Sequence, residues 1–262
     1  MKTAFPDFDV PLSIDPVVFC DFDGTITRGD VTDEILSSLA EPAWKEIEAL
    51  WVQGRIGSQE CLQRQLALVK TSKEALNRLI DSIPLDPHFH RFARYARETA
   101  LPFIIVSDGL DHVIRRILTK SGLWRRPRNG SDFFSSSGRL KGDGIEVSFP
   151  HGQPACAHGC ATCKPNVMRK LKRDRWPVLY LGDGFSDRHA VFEADFVYAR
   201  RPLFEFCRER GIPCRIFETF AEIEGALARW RDGGAVLEMS EAATRARPSE
   251  RLLVPETEPP WI

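Results

Sequence analysis

The chain of 262 residues is 43% hydrophobic, which suits one large core, or a core with an inserted module, and argues against disorder throughout. Lysine plus arginine number 36 against 37 aspartates and glutamates, so the net charge of -1 gives no electrostatic case for nucleic acid as a partner. No apolar run approaches the ~18 residues needed to span a bilayer, and MKTAFPDFDV carries Pro and Asp where a signal peptide needs an apolar stretch; the expectation is a cytoplasmic protein with no membrane partner.

The first element is PVVFCD at 16–21, a short apolar run that ends in a charged, glycine-bearing turn. That is the pattern of a buried parallel strand whose C-terminal end carries chemistry. From 29 to 100 the sequence reads as helices, starting near Asp30 and running through PAWKEIEALW, SQECLQRQLALVK, SKEALNRLIDSI and HFHRFARYARETA. The block is too long for a plain crossover and predicts a helical cap over the C-terminal edge of a sheet, where open α/β folds bind ligands.

A second strand ends at PFIIVSDG, and Leu110, Val113, Ile114, Ile117 and Leu118 then mark one buried helix face. Turn residues between short β-like runs at 129–150 predict an inserted hairpin. PVLYLGDG at 177–184 is a third strand, and DFVYA and PCRIF add two more, separated by a helix near Pro202 and followed by one from about 219 to 231. Strands alternating with helices predict a Rossmann-like, doubly wound parallel sheet, with the core at 1–28 and 101–232. After 232 the periodicity is lost, and residues 233–262 read as a flexible tail.

In an extended strand Asp21 and Asp23 point to one side. Two carboxylates in environments that push their pKa values apart can divide the work of attack and proton donation. Gly24 lets the backbone turn closely past a ligand. A lone DxDG equally suits a structural turn or a calcium loop, but further groups accompany it. Ser107 ends the second strand at the mouth of a helix beginning near Gly109, where unpaired N–H groups favour phosphate. Lys164 opens another helix and offers a point charge to phosphoryl oxygens. Asp183 ends the third strand, with Asp187 close behind it, and Asp21 with Asp183 suits the sparse carboxylate ligation of Mg²⁺.

Taken together, DFDGTIT, a strand ending in Ser107, Lys164 and GDGFSD resemble the ordered motifs of the haloacid dehalogenase superfamily. The helical block after the first motif is similar to the phosphoserine-phosphatase-like branch with a C1-type cap. CDFDGTIT, HGCATCKPNVM and LGDGFSDRHAVFEADFVYAR resemble the methionine-salvage phosphatase branch more closely, over roughly residues 16–220. The resemblance implies a Mg²⁺-dependent phosphomonoesterase acting through an aspartyl-phosphate. Asp21 is then the nucleophile, Asp23 the general acid/base that also gives its backbone carbonyl to the metal, and Asp183 the remaining metal ligand. Ser107, Gly109, Lys164 and Gly24 hold phosphate; Asp187 and Thr25 support them; Asp30 is a cap acid that contacts substrate.

The chain departs from the methionine-salvage branch at Ser107-Asp108-Gly109, where that branch shows Ser-Gly-Gly; phosphocholine and phosphoethanolamine phosphatases are closer there. Asp108 therefore reads either as a selector of substrate or as a cap on the helix starting near Leu110. A phosphoserine-type substrate is a further alternative, as are a phosphomutase and a non-catalytic scaffold; loss of Asp21 or Asp23 would mark the scaffold, and neither is lost.

Seven cysteines, with Cys156, Cys160 and Cys163 in one segment beside His151 and His158, argue against a secreted disulfide framework. The segment can hold a structural Zn²⁺, but reduced thiols in a tight loop are favoured, since structural zinc motifs usually pair two CxxC-like knuckles.

Overall fold

The computed structural model describes residues 15–123, 133–172 and 176–232. The segment expected to be a flexible tail, 233–262, lies outside the described residues.

Strand β1 (Val17–Cys20) is buried along its whole length. Val18 and Cys20 face one apolar cluster while Val17 and Phe19 face another, so both sides of the strand are covered. Parallel neighbours flank it: β2 (Phe103–Leu110) on one side and β5 (Val178–Gly182) on the other. The remaining strands are β3 (Phe133–Lys141), β4 (Gly144–Ser148), β6 (Phe196–Ala199) and β7 (Cys214–Ile216), in the order β4-β3-β2-β1-β5-β6-β7. The chain order reverses between β1 and β5, and the crevice outside the carboxyl ends of strands at such a switch point is where open α/β sheets bind ligands.

Helices α1 (Val31–Leu39), α2 (Trp44–Val52), α3 (Ser58–Leu66), α4 (Lys73–Ser82) and α5 (Phe89–Glu98) lie between β1 and β2 in the chain. Asp30 is the N-cap of α1, its carboxylate accepting from the Asp33 N–H at 2.9 Å. After β2 come α6 (Asp111–Lys120), α7 (Lys164–Leu171), α8 (Leu203–Glu209) and α9 (Phe220–Arg231). No helix among the described residues is long and apolar enough to cross a membrane.

The structure departs from the sequence expectations in three places. The block 29–100 is not all cap: Phe89 and Phe92 of α5 pack on Phe103 of β2 and Phe220 of α9, which puts α5 in the layer against the sheet. The hairpin expected within 129–150 is formed by β3 and β4, but β3 also pairs in parallel with β2, so it is a strand of the main sheet as well. Finally, β2 runs on to Leu110 and α6 begins only at Asp111, so Gly109 does not open a helix. The β2–β3 register shifts between Val106 and Leu110, and this bulge spans Ser107, Asp108 and Gly109.

Candidate active site

Asp21 leaves the end of β1, where its N–H donates to the Leu181 carbonyl at 2.9 Å and the residue is 3% exposed. Its Oδ1 accepts from the Phe22 N–H at 2.8 Å and lies 3.0 Å from Lys164 Nζ. The chain then folds back through Asp23 and Gly24. Gly24 has φ +67°, and a Cβ there would stand 2.1 Å from Asp183 Oδ2, so conformation and space both demand glycine. The close approach puts the ends of β1 and β5 in contact, and Thr25 adds a bond from its hydroxyl to Asp183 Oδ1 at 3.1 Å. The Asp23 carboxylate packs over Gly109, on the bulge of β2.

Lys164 opens α7 yet is 1% exposed. Its ammonium donates to Asp187 Oδ1 at 2.5 Å and to Ser186 Oγ at 3.0 Å, besides its contact with Asp21. Burial alone would pull its pKa down, but the carboxylates of Asp187, Asp21 and Asp108 outweigh that and hold it above the ordinary lysine range. The carboxylates show the complementary effect. Burial, with the charges of Asp187, Asp183 and Asp23, raises Asp21 well above the usual range against the pull of Lys164. Burial with Asp30 and Asp183 does the same to Asp23. Asp183 is pushed up to about 8 by burial and by Asp187 and Asp30, and Asp30 to about 6 by burial and Asp33.

One ammonium thus faces more carboxylates than it can neutralise, and the excess is the feature that fits a divalent cation. Oxygens of Asp21, Asp183 and Asp187 lie within 4.8 Å of one another, and this is the only such acidic, histidine or cysteine group among the described residues. Within it, Asp187 is already engaged. Its Oδ1 also accepts from the Tyr180 hydroxyl at 2.5 Å, and its Oδ2 accepts from the N–H groups of Asp183 at 3.0 Å and Gly184 at 3.2 Å. Asp21 and Asp183 are therefore the carboxylates free to ligate, with Asp187 as their brace.

Ser107 is fully buried, its Oγ accepting from the Gly109 N–H at 3.0 Å. Asp108 does not cap α6: Leu110 holds the N-cap position without a side-chain bond. Asp108 Oδ1 instead accepts from the Thr162 N–H at 2.9 Å, and the Ser58 hydroxyl of α3 also bonds to it. The carboxylate joins the loop before Lys164 to the helices above the sheet. That loop holds the cysteines. Cys156 Sγ lies 3.6 Å from Cys160 Sγ, but the trio does not close into a metal-ligating group.

Over the strand ends lies a cleft of about 210 Å³, lined from below by Asp21, Asp23 and Asp183 and from above by residues that include Glu48, Trp51 and Leu62. Phe185 meets Trp51 edge-on across it, with centroids 4.8 Å apart. Sequence reasoning missed Tyr180, Ser186, Glu48 and Trp51. Only Ser186 carried a signal, lying inside GDGFSD.

A parallel sheet with acids at its central strand ends, one buried lysine and helices inserted after the first strand define a haloacid dehalogenase-like hydrolase. The model of that family matches residues 18–191, and the chain belongs to it. It is 34% identical to the 2-hydroxy-3-keto-5-methylthiopentenyl-1-phosphate phosphatase of Geobacillus kaustophilus (strain HTA426), over 81% of this chain and 96% of that protein. The enzyme of the same name from Geobacillus thermodenitrificans (strain NG80-2) is 32% identical over the same shares. Among solved structures, a phospho-aspartyl intermediate analogue of phosphoserine phosphatase matches the fold with a TM-score of 0.60 at 19% identity, covering 80% of this chain and 97% of that one.

Proposed function

We propose that this chain is a Mg²⁺-dependent phosphomonoesterase in which Asp21 attacks phosphorus and Asp23 carries the proton. The observation that carries the reading is the buried contact of Lys164 with Asp21, 3.0 Å long, inside an acid-rich crevice at the switch point of the sheet. An attacking carboxylate needs to be ionised when substrate is bound, and the ammonium beside it favours that form. Asp21 and Asp183 are the side chains that would hold the metal, which supplies positive charge against the phosphoryl oxygens.

Asp21 forms a bond to phosphorus as the ester oxygen departs, and Asp23, kept protonated by its surroundings, gives that oxygen its proton. The same carboxylate, now ionised, takes a proton from the water that cleaves the acyl phosphate and releases inorganic phosphate. Lys164 and Ser107 hold the phosphoryl oxygens, and Gly24 and Gly109 let the backbone pass close to them. Thr25 and Asp187 support Asp183 and Lys164.

Two substrate readings follow from the cleft. Trp51, Phe185 and Leu62 suit an apolar tail such as the methylthio group of the ester named for the Geobacillus relatives. Asp30 and Glu48 on the same wall favour a small amino-alcohol phosphate instead. Purified protein with Mg²⁺ assayed against both ester types, phosphoserine and an aryl phosphate tests the activity and ranks the substrates by kcat/KM. No phosphate release from any of them would sink the reading.

A further inference from the structure

Arg200 follows β6 directly, and the reaction above makes no use of it. Its side chain is 17% exposed, and its guanidinium reaches separate segments of the chain. Nη1 donates to the Gly24 carbonyl at 2.9 Å, while Nη2 donates to Asp86 Oδ2 at 2.7 Å and to the Glu218 carbonyl at 3.2 Å. The guanidinium also lies over the Phe217 ring, 5.0 Å from its centroid. A planar fork of fixed donors suits such a multiple contact, and a lysine cannot reproduce it.

Asp86, the partner, is 2% exposed. Its Oδ1 accepts from the His88 N–H at 2.9 Å and the Phe220 N–H at 3.4 Å. Asp86 also stands where the chain returns from α4 to the sheet. Its N–H donates to the Ile26 carbonyl at 2.9 Å, the Arg28 N–H donates to the Pro84 carbonyl at 3.0 Å, and Thr27 pairs with Leu85 in an isolated bridge. The outgoing and returning chains thus run side by side, and the Asp86–Arg200 pair fastens them to the end of β6.

The Gly24 carbonyl belongs to the peptide joining Gly24 to Thr25, one residue past Asp23. A peptide is planar, so a bond that fixes its carbonyl places the Cα atoms of Gly24 and Thr25 together, directly after Asp23. Thr25, on one side, bonds to Asp183; Asp23 is on the other.

We propose that Arg200 is a positioning residue for Asp23: anchored by Asp86, it clamps the Gly24 carbonyl and so sets the acid/base carboxylate against the leaving-group oxygen. The proposal rests on the roles given above to Asp21 and Asp23. A residue that only stabilised the fold would, when altered, slow every substrate alike. One that positions the acid must matter most where the leaving group needs a proton.

The experiment is steady-state kinetics with Mg²⁺ on wild type and Arg200→Lys, using an alkyl phosphate and a nitrophenyl phosphate. Lysine keeps the charge beside Asp86 but cannot hold Asp86 and Gly24 together. The expected result is a fall in kcat of about tenfold or more for the alkyl ester and under about threefold for the aryl ester, with KM changed by less than about twofold. Asp86→Asn, which leaves the Gly24 bond in place but loosens its anchor, should skew the ratio the same way by a smaller factor. It serves in the same way if Arg200→Lys does not fold. Equal losses on both esters, or none, in the folded variant overturn the proposal while leaving the phosphatase reading intact. A wild type that cleaves neither ester overturns both.

Discussion

Asp187 meets the Lys164 ammonium through Oδ1 at 2.5 Å and the N–H groups of Asp183 and Gly184 through Oδ2 at 3.0 and 3.2 Å. A single carboxylate therefore holds both the lysine and the start of the loop that carries Asp183. Asp187→Asn removes the charge and turns one acceptor into a donor facing an ammonium. Breaking a buried pair from one side costs about 3–5 kcal/mol. Tyr180→Phe, which deletes one neutral donor from the same oxygen, should cost about 1–3 kcal/mol. Denaturant unfolding should rank the two variants in that order, and Asp187→Asn as stable as wild type would rule the brace out.

Asp21→Asn is expected to abolish turnover without unfolding the protein. An amide cannot attack phosphorus, and the replacement removes an acid whose pKa burial and its neighbours already raise. Asp187 remains as a partner for Lys164. Asp23→Asn should lose most activity on alkyl esters and much less on an aryl ester, whose leaving group departs without a proton. Turnover by Asp21→Asn at the wild-type rate, or equal losses by Asp23→Asn on both esters, would contradict these roles.

The parts of the site legible in the sequence are those whose signal is local. Asp21 and Asp183 stand at strand ends that lead into glycine-bearing turns, and the apolar runs before them predict the strands that carry them. Asp86 and Arg200 give no such signal, because each is defined by a partner far along the chain. The same limit explains α5. Its amphipathic pattern says that one face is buried but not that Phe220 and Phe103 cover it. Strand β3 was obscured by its serines: Ser135 and Ser136 are buried at 4% and 0% exposure where a main-sheet strand is expected to be apolar. The bulge beside it, which carries Ser107 to Gly109, depends on pairing that sequence alone does not reveal.

The proposed ligation links metal and pH through Asp183. Its carboxyl has a pKa of about 8 in the folded chain against an ordinary 3.8, so between those values the folded state holds a proton that the unfolded state has lost. Stability from this group is complete below the lower value and is lost as pH rises through the upper one. Asp30, at about 6, adds to the decline over the lower part of the window. Thermal melts in a chelator should show the melting temperature falling from about pH 5 to pH 8, once other titrations are matched with an Asp183→Asn control. Added Mg²⁺ should raise it, and by more at the higher pH, because ligation needs the ionised carboxylate. A Mg²⁺ shift independent of pH would show that Asp183 is not a ligand.

Asp108 now reads as a tie between the loop of Lys164 and α3. Its bond to the Thr162 N–H is charge-assisted, and Asp108→Ala should cost about 1–3 kcal/mol in stability. Loosening the loop should lower kcat by a similar factor for alkyl, amino-alcohol and aryl phosphates alike. A loss confined to amino-alcohol phosphates would instead make Asp108 a selector of substrate.

The same loop is one place where the inserted helices rest on the core, and backbone carbonyls of the loop form the seat. Gln59 donates its N–H to the Gly159 carbonyl and its side-chain amide to the Cys160 carbonyl, both at 2.9 Å. Just before it, a Cβ on Gly57 would stand 2.8 Å from Gly159 Cα, from the Gly159 carbonyl oxygen and from the His158 carbonyl oxygen. None of those atoms can swing aside as a side-chain tip would, so Gly57→Ala must separate the two segments. Gly57 has φ -85°, which alanine adopts freely, and the strain therefore falls on the contact and not on the helix that follows. Trp51, which donates to the Ser58 hydroxyl at 3.1 Å and lines the cleft, would move with α3. The expected outcome is a KM raised by about tenfold with kcat reduced as well, since the wall of the cleft and its exclusion of water are lost together. Gln59→Ala removes only one of the bonds and should raise KM by less, with kcat near wild type. Kinetics and melting curves of both variants check this order, and wild-type KM in Gly57→Ala would show that α3 does not need this seat to form the substrate cleft.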